Sequence, residues 1–369
     1  VNKTSRRLAD GREIIYFDAA AGTARDAVDA RDLSPITVSS ELRHDPLLGE
    51  WVMYASHRQD RSYLPAAEDC PLCPSTARHS TEVPEHDYEV VVFENRFPAL
   101  VADGSSTAQA LDDPGIELFA RRPGGGRCEV VCYTADHDAA FYQLGPERTD
   151  LVIQALADRT EQLGALPGIE QVFCFENRGR EIGVTQPHPH GQIYAYPFVT
   201  PVTERMLARA ESYRETRKRN IFDDVLAAER ADGSRVVLTT KHWTAFVPHA
   251  ARWPYELHCY PNQRVPDLAS LGPAARSELP GALHDIYGRF ARLFDQPAPY
   301  IAAWHQAPVR RGRDQLALHL ELFTLRRTAT KLKFLAGSES GMGAFANDIL
   351  PEVAASRLRA ASTAGVADA

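Results

Sequence analysis

The chain has 369 residues, 44% of them hydrophobic and 24% charged, a globular profile with room for two ordinary domains or one large one. Its 41 basic and 49 acidic residues leave a formal net charge of −8, which argues against nucleic acid as the partner. No run reaches the roughly 18 apolar residues of a membrane span, and no apolar secretory core opens the chain, so no membrane partner is expected and a cytoplasmic address is the default.

Residues 1–35 are polar and rich in Ala, Asp and Arg without a sustained period, and predict a poorly ordered N-terminal extension. Patterned sequence begins near Ile36. The turn Asp45–Glu50 leads into a predicted strand from Trp51 to Ala55, and Tyr88–Phe93 and Glu129–Tyr133 are short Val-rich strands. A helix is predicted over Thr149–Leu163, with Thr149 as its N-cap. Strands follow at Val172–Phe175 and Gly191–Tyr196, and a charged helix at Thr203–Arg219. The second half repeats this style. Strands are expected at Trp243–Val247, Glu256–Tyr260, Ile301–Trp304 and Leu316–Leu325, with a helix over Pro273–Phe294 broken near Pro280. Strands in runs with interspersed helices indicate an α+β fold with a largely antiparallel sheet. The alternating polar residues of Leu318-His319-Leu320-Glu321-Leu322 echo those of Pro187-His188-Pro189-His190-Gly191, pointing to a degenerate internal duplication.

That second run, continued by Gln192, carries the chemistry. Strand alternation places His188, His190 and Gln192 on one face, and Gly191 allows a ligand to approach closely. A lone histidine is usually a satisfied core residue, but two imidazoles and an amide on one face make a site. Neutral imidazole is available near pH 7 to attack phosphorus, so His190 is the candidate nucleophile. A phosphoramidate is labile and can hand its nucleotide on. Between two sugar phosphates no general acid is needed, which suits Gln192: it cannot shuttle protons but can donate to a phosphoryl oxygen. The six cysteines are too few and scattered for a disulfide framework, and Cys70-Pro71-Leu72-Cys73 reads as half a metal site.

With Phe175-Glu176-Asn177-Arg178-Gly179 ahead of it, this motif resembles the galactose-1-phosphate uridylyltransferase family of the histidine-triad superfamily. The resemblance extends from about Leu42 to Leu358, through Trp51-Val52, His57-Arg58-Gln59-Asp60-Arg61, Phe93-Glu94-Asn95-Arg96-Phe97-Pro98, Asp136-His137 and Trp304-His305-Gln306-Ala307-Pro308. It implies duplicated histidine-triad-like halves forming a half-barrel sheet flanked by helices. Residues 36–200 would carry the metal site and catalytic motif, and residues 201–369 the sugar-phosphate contacts. It also implies ping-pong transfer of UMP from UDP-glucose to galactose 1-phosphate through a uridylyl-His190 intermediate stabilised by Gln192. Arg58, Arg61, Asn95, Asn177, Thr185 and Gln186 would contact nucleotide and phosphate. Lys333, Phe334, Ser338 and Glu339 would serve the sugar phosphate, in the best-known branch from the partner subunit of a homodimer.

The same resemblance implies a structural zinc held by Cys70, Cys73, His137 and His188, a sound tetrahedral set. A second metal, held in some members by a glutamate and three histidines, is not expected here. His305 and His319 match two ligands, but Glu321 replaces the third histidine, Met206 falls at the glutamate position, and Glu204 is off register. His305 and His319 then default to structural hydrogen bonding. Arg96 stands where the family often has a ribose-binding Asp, and Gly337–Phe345 replaces a tyrosine and a glutamine that contact the hexose. Uridine is therefore favoured with adenine left open. The alternatives are an adenylyl-transferring sugar-nucleotide or dinucleotide phosphorylase with the same nucleophile, and an inactive zinc-stabilised binding protein.

Overall fold

The computed structural model describes residues 1–35, 40–57, 65–101, 116 and 118–362. Fourteen strands form among these, most of them short segments rich in Val, Ile or aromatic residues. They are β1 (Asn2–Arg7), β2 (Glu13–Asp18), β3 (Glu41–Asp45), β4 (Glu50–Tyr54), β5 (Val90–Glu94), β6 (Arg121–Pro123) and β7 (Arg127–Cys132). There follow β8 (Gln171–Arg178), β9 (His190–Tyr196), β10 (Val236–Thr239), β11 (Trp243–Phe246), β12 (Tyr255–Pro261), β13 (Tyr300–His305) and β14 (His319–Thr324). Six helices accompany them: α1 (Pro146–Gly164), α2 (Pro201–Arg217), α3 (Ile221–Asp232), α4 (Pro273–Arg292), α5 (Gly337–Met342) and α6 (Pro351–Ala360).

Eleven strands form one sheet in the order β1-β2-β5-β7-β9-β8-β13-β14-β12-β11-β10, and β4-β3-β6 form a second. Every pairing in the large sheet is antiparallel, so the α+β reading with helices flanking a large antiparallel sheet holds. The order is mirrored about the β8–β13 pairing. On one side β8 adjoins β9, β7 and β5; on the other β13 adjoins β14, β12 and β11. α1 lies between β7 and β8 in the chain, and α4 between β12 and β13. Each side is therefore a β–β–α–β–β unit, the duplication that the two histidine-bearing runs suggested.

Strand alternation sorts the core into two faces. Ile15, Phe17, Val90, Val92, Val131 and Ile193 pack with Leu151, Leu156, Leu283, Ile286 and Phe290 of α1 and α4. Ile14, Tyr16, Val91, Phe93 and Val130 join Cys70 and Leu72 on the opposite face. Gln192 pairs with Val130 and Phe175, so it stands on the face away from α1 and α4.

Two expectations are overturned. Residues 1–35 are not a loose extension: β1 and β2 form a hairpin, β2 pairs with β5, and Ile14, Ile15, Tyr16 and Phe17 are buried. The polar composition misled because its charges are consumed internally: Arg12 bonds Asp10 at 2.8 Å, and Arg25 bonds Asp18 at 2.5 Å. The helix over Pro273–Arg292 also runs unbroken through Pro280, with α1 and α6 packed against it.

Candidate active site

His190 opens β9, and its Nδ1 lies 2.7 Å from the carbonyl oxygen of His188. A carbonyl can only accept, so Nδ1 carries the proton and Nε2 keeps its lone pair. Burial pulls the His190 pKa below its ordinary value, and the Arg178 guanidinium adds to this against the bond to His188. The imidazole is thus held neutral with one nitrogen free to attack. Gln192, two residues on along β9, accepts the Tyr194 hydroxyl at 3.3 Å on Oε1, which orients the amide and leaves its NH2 to donate. Gly191 is obligatory between them: a Cβ there would lie 2.2 Å from the Tyr133 hydroxyl and 3.0 Å from the Phe175 carbonyl oxygen.

Two cavities meet at His190. One, of about 380 Å³, is lined by Leu72, Phe93, Asn95, Phe97, Thr185 and Gln192, among others. Its apolar walls and amide groups suit a nucleoside. Asn95 is fixed by accepting the Phe97 amide on Oδ1 at 2.8 Å. The other, of about 240 Å³, is lined by Asn177, Arg178, Arg180, Gln186 and Pro299 along with His190. Gly179 there has φ +105°, and a Cβ on it would meet Pro299 at 2.5 Å. The two guanidinium groups of this cavity were not singled out by the sequence reading, although Arg178 adjoins Asn177 in the motif.

Cys70, Cys73, His137 and His188 come together from three distant segments, with ligand atoms all within 4.8 Å of one another. Cys73 Sγ lies 3.3 Å from His137 Nδ1 and 3.5 Å from His188 Nδ1. The other nitrogen of His188 donates to the Thr134 carbonyl oxygen at 2.8 Å, so Nδ1 presents a lone pair to the cluster, as metal-bound imidazoles generally do. Burial and the neighbouring Cys70 push the Cys73 thiol up to about 12. Two thiols and two imidazoles converging in this way are a donor set that fits a soft-to-borderline divalent cation. One expectation changes in its physical basis. His188 lies in the bend before β9, so it reaches His190 through its carbonyl group, not through alternation along a shared strand.

A second cluster joins His258, His319 and Glu321. His319 Nε2 is 3.3 Å, and His258 Nε2 3.5 Å, from Glu321 Oε1, while His305 Nε2 is 3.3 Å from Oε2. His319 donates Nδ1–H to the Ala317 carbonyl oxygen at 2.9 Å. His305 and His319 thus do hydrogen-bond, but within a three-imidazole, one-carboxylate set whose donors suit a divalent cation. His258 was missed because its only signal was its register opposite Glu321 across β12 and β14.

Lys333, Phe334, Ser338 and Glu339 do not join His190 among the residues lining either cavity. Lys333 is buried against Glu339 at 3.3 Å and the Ala346 carbonyl oxygen, Ser338 donates to the Ala344 carbonyl oxygen, and Phe334 is 70% exposed. Arg58 and Arg61 lie outside the described residues. No helix among the described residues is long and apolar enough to cross a membrane.

Comparison with known proteins points to one family. Residues 30–200 match the family model "Galactose-1-phosphate uridyl transferase, N-terminal domain", and residues 207–367 its C-terminal counterpart. Galactose-1-phosphate uridylyltransferase of Streptomyces lividans is 48% identical over 370 residues, covering 97% of this chain and 98% of that one. The Thermotoga maritima protein of the same name is 35% identical, covering 86% and 98%. A solved structure of uridylyltransferase superposes with a TM-score of 0.76 at 28% identity, covering 88% of this chain and 99% of that one. With both halves matched and a relative 48% identical over nearly the whole chain, the chain belongs to the galactose-1-phosphate uridylyltransferase family.

Proposed function

We propose that this protein is a hexose-1-phosphate uridylyltransferase that moves UMP from UDP-glucose to galactose 1-phosphate, or to a related sugar 1-phosphate, through His190. The observation that carries the reading is the Nδ1–H bond from His190 to its own strand's entry, which leaves Nε2 as a neutral nucleophile between two cavities. Nε2 attacks the α-phosphorus of UDP-glucose, forming a P–N bond. The P–O bond to the β-phosphate breaks, and its electron pair departs with glucose 1-phosphate. Gln192 donates from its NH2 to a non-bridging oxygen as charge gathers there. The proton on Nδ1 stays on the His188 carbonyl bond, which steadies the cationic uridylyl-imidazole. A phosphate oxygen of the second sugar phosphate then attacks phosphorus, and the P–N bond breaks, restoring neutral His190.

In this assignment the cavity at Asn95, Thr185, Gln186 and Gln192 holds the nucleotide, and that at Asn177, Arg178 and Arg180 holds the sugar-phosphate leaving group and its replacement. Arg58 and Arg61 are assigned to phosphate on the resemblance. Cys70, Cys73, His137 and His188 would hold a structural zinc, whose chemistry is to fix the loops behind His190. Lys333, Phe334, Ser338 and Glu339 fit a role at a partner's site, since they lie away from this chain's own cavities. On the family resemblance the protein is assigned to the cytoplasm and, with these residues, as a homodimer, which sedimentation equilibrium reads directly.

The test is to incubate the protein with UDP-glucose labelled in the α-phosphate. Acid-labile, protein-bound label is expected, and should be absent from His190→Asn. Label taken only from ADP-glucose would replace the uridylyl reading with the adenylyl one; label from neither donor would sink the covalent mechanism.

A further inference from the structure

Glu82 is the only carboxylate among the residues that line the larger cavity. Its side chain is 8% exposed and carries an unusual set of partners. Arg12 reaches Oε2 at 2.5 Å, Arg31 reaches Oε1 at 2.9 Å, and Arg96 stands 3.7 Å from Oε1. Arg12 and Arg31 both belong to the N-terminal segment. Arg12 also donates to the Glu94 carbonyl oxygen at 2.8 Å, bracing the turn that presents Asn95 and Arg96. Arg31 is itself anchored by two bonds of 2.8 Å to Asp29, and the Glu82 amide is tied to the Pro71 carbonyl oxygen at 2.9 Å. The carboxylate is clamped from behind.

The chemistry of the cavity says what such a clamp is for. Its Leu72, Phe93, Phe97 and Val130 walls offer a slot for a base, and His190 and Gln192 mark the phosphate end. The ribose between them brings two vicinal hydroxyl donors, and donors taken out of water require acceptors. A carboxylate has about four lone-pair sites, so Arg12 and Arg31 leave acceptor capacity on both oxygens. A bare carboxylate beside a diphosphate would repel it. Here three guanidinium groups (Arg12, Arg31, Arg96) meet three carboxylates (Asp10, Asp29, Glu82), so the local charge cancels.

We propose that Glu82 is the ribose-recognising residue of the nucleotide cavity, and that Arg12 and Arg31 of the N-terminal segment are its positioning residues. This rests on the nucleotide reading of the cavity given above. It makes the first 35 residues a working part of the site, although the N-terminal family match begins only at residue 30.

Equilibrium binding of UDP, 2′-deoxy-UDP and 3′-deoxy-UDP to the full chain tests it without turnover. The wild type should bind at least one deoxy analogue about 10-fold more weakly than UDP, the loss expected for a hydrogen bond to a charged group. Glu82→Gln should weaken UDP binding and shrink the deoxy penalty at least about threefold. Arg31→Gln should do the same, with Arg31→Lys restoring part of the discrimination, whereas a merely structural arginine would leave the UDP to deoxy-UDP ratio unchanged. Equal affinity of the wild type for all three ligands, within about twofold, overturns the proposal whether or not any variant folds. So does an unchanged ratio in folded Glu82→Gln. Those outcomes leave His190 labelling intact, whereas wild-type protein that neither binds UDP nor takes label loses the uridylyl reading and this proposal together.

Discussion

Glu176 and Asn177 are neighbours on β8 whose side chains serve opposite faces of the sheet. Both residues border the cavity at His190, but Glu176 stands opposite the core residue Ala302 and its carboxyl accepts the Tyr300 hydroxyl at 2.7 Å. Burial raises the Glu176 carboxyl to about 7, against the pull of Tyr300 and Arg178, and its Oε2 has no hydrogen-bond partner. The sign of the pH effect follows from linkage. Between its ordinary pKa and about 7 the folded state holds a proton the unfolded state has lost, so stability falls as pH rises through that window. Glu176→Gln removes the titration. The variant should gain on the wild type by up to about 3 kcal/mol at pH 8 and show little such pH-dependent gain at pH 4. Urea unfolding at the two pH values measures this; equal differences at both would remove Glu176 from the account. His190 and Gln192 were legible in sequence because motif and spacing announce them. Glu176 was not, because its chemistry depends on a tyrosine 124 residues away.

At the scale of elements, the loop at Cys70–Cys73, the segment at His137 and the entry to β9 are separate in sequence and share one donor cluster. His188 ties that cluster to His190 through a single carbonyl group. His137→Ala removes one donor without touching β9. Metal bound at this cluster should drop from about one equivalent to near zero, with thermal stability falling alongside. Metal analysis and a melting curve check this, and a variant that retains full metal would exclude His137 as a ligand. The CxxC pair was readable from spacing alone. Its histidine partners came only from family resemblance, because no local pattern records a contact across 115 residues between Cys73 and His188. The N-terminal hairpin was misread for a related reason. Buried Asp10, Arg12, Asp18 and Arg25 have the composition of a solvated tail, and only their pairing shows otherwise.

Over the whole molecule, most strands were legible because each is a short run of Val, Ile or aromatic residues between turn formers. The class of the fold followed from their order. What sequence did not reveal was how the two matching units meet. β13 pairs with β8 over Tyr300 to Trp304, so the ladder continues from one unit to the other. α1 packs against α4 beneath that junction, and Phe141 stacks on Tyr287 at 4.3 Å. The active-site strand β9 lies one strand from the junction.

That junction has a thermodynamic consequence. Two repeats joined by a flexible linker would melt as separate units, each with its own enthalpy. Here neither can unfold without stripping hydrogen bonds and apolar cover from the other, so the chain should behave as one cooperative block. Calorimetry of the metal-loaded protein should show a single transition whose calorimetric and van't Hoff enthalpies agree per cooperative unit. Two resolved transitions would mean that the ladder between β8 and β13 does not couple the halves. With a single transition, a fold built from two matching units is, energetically, indivisible.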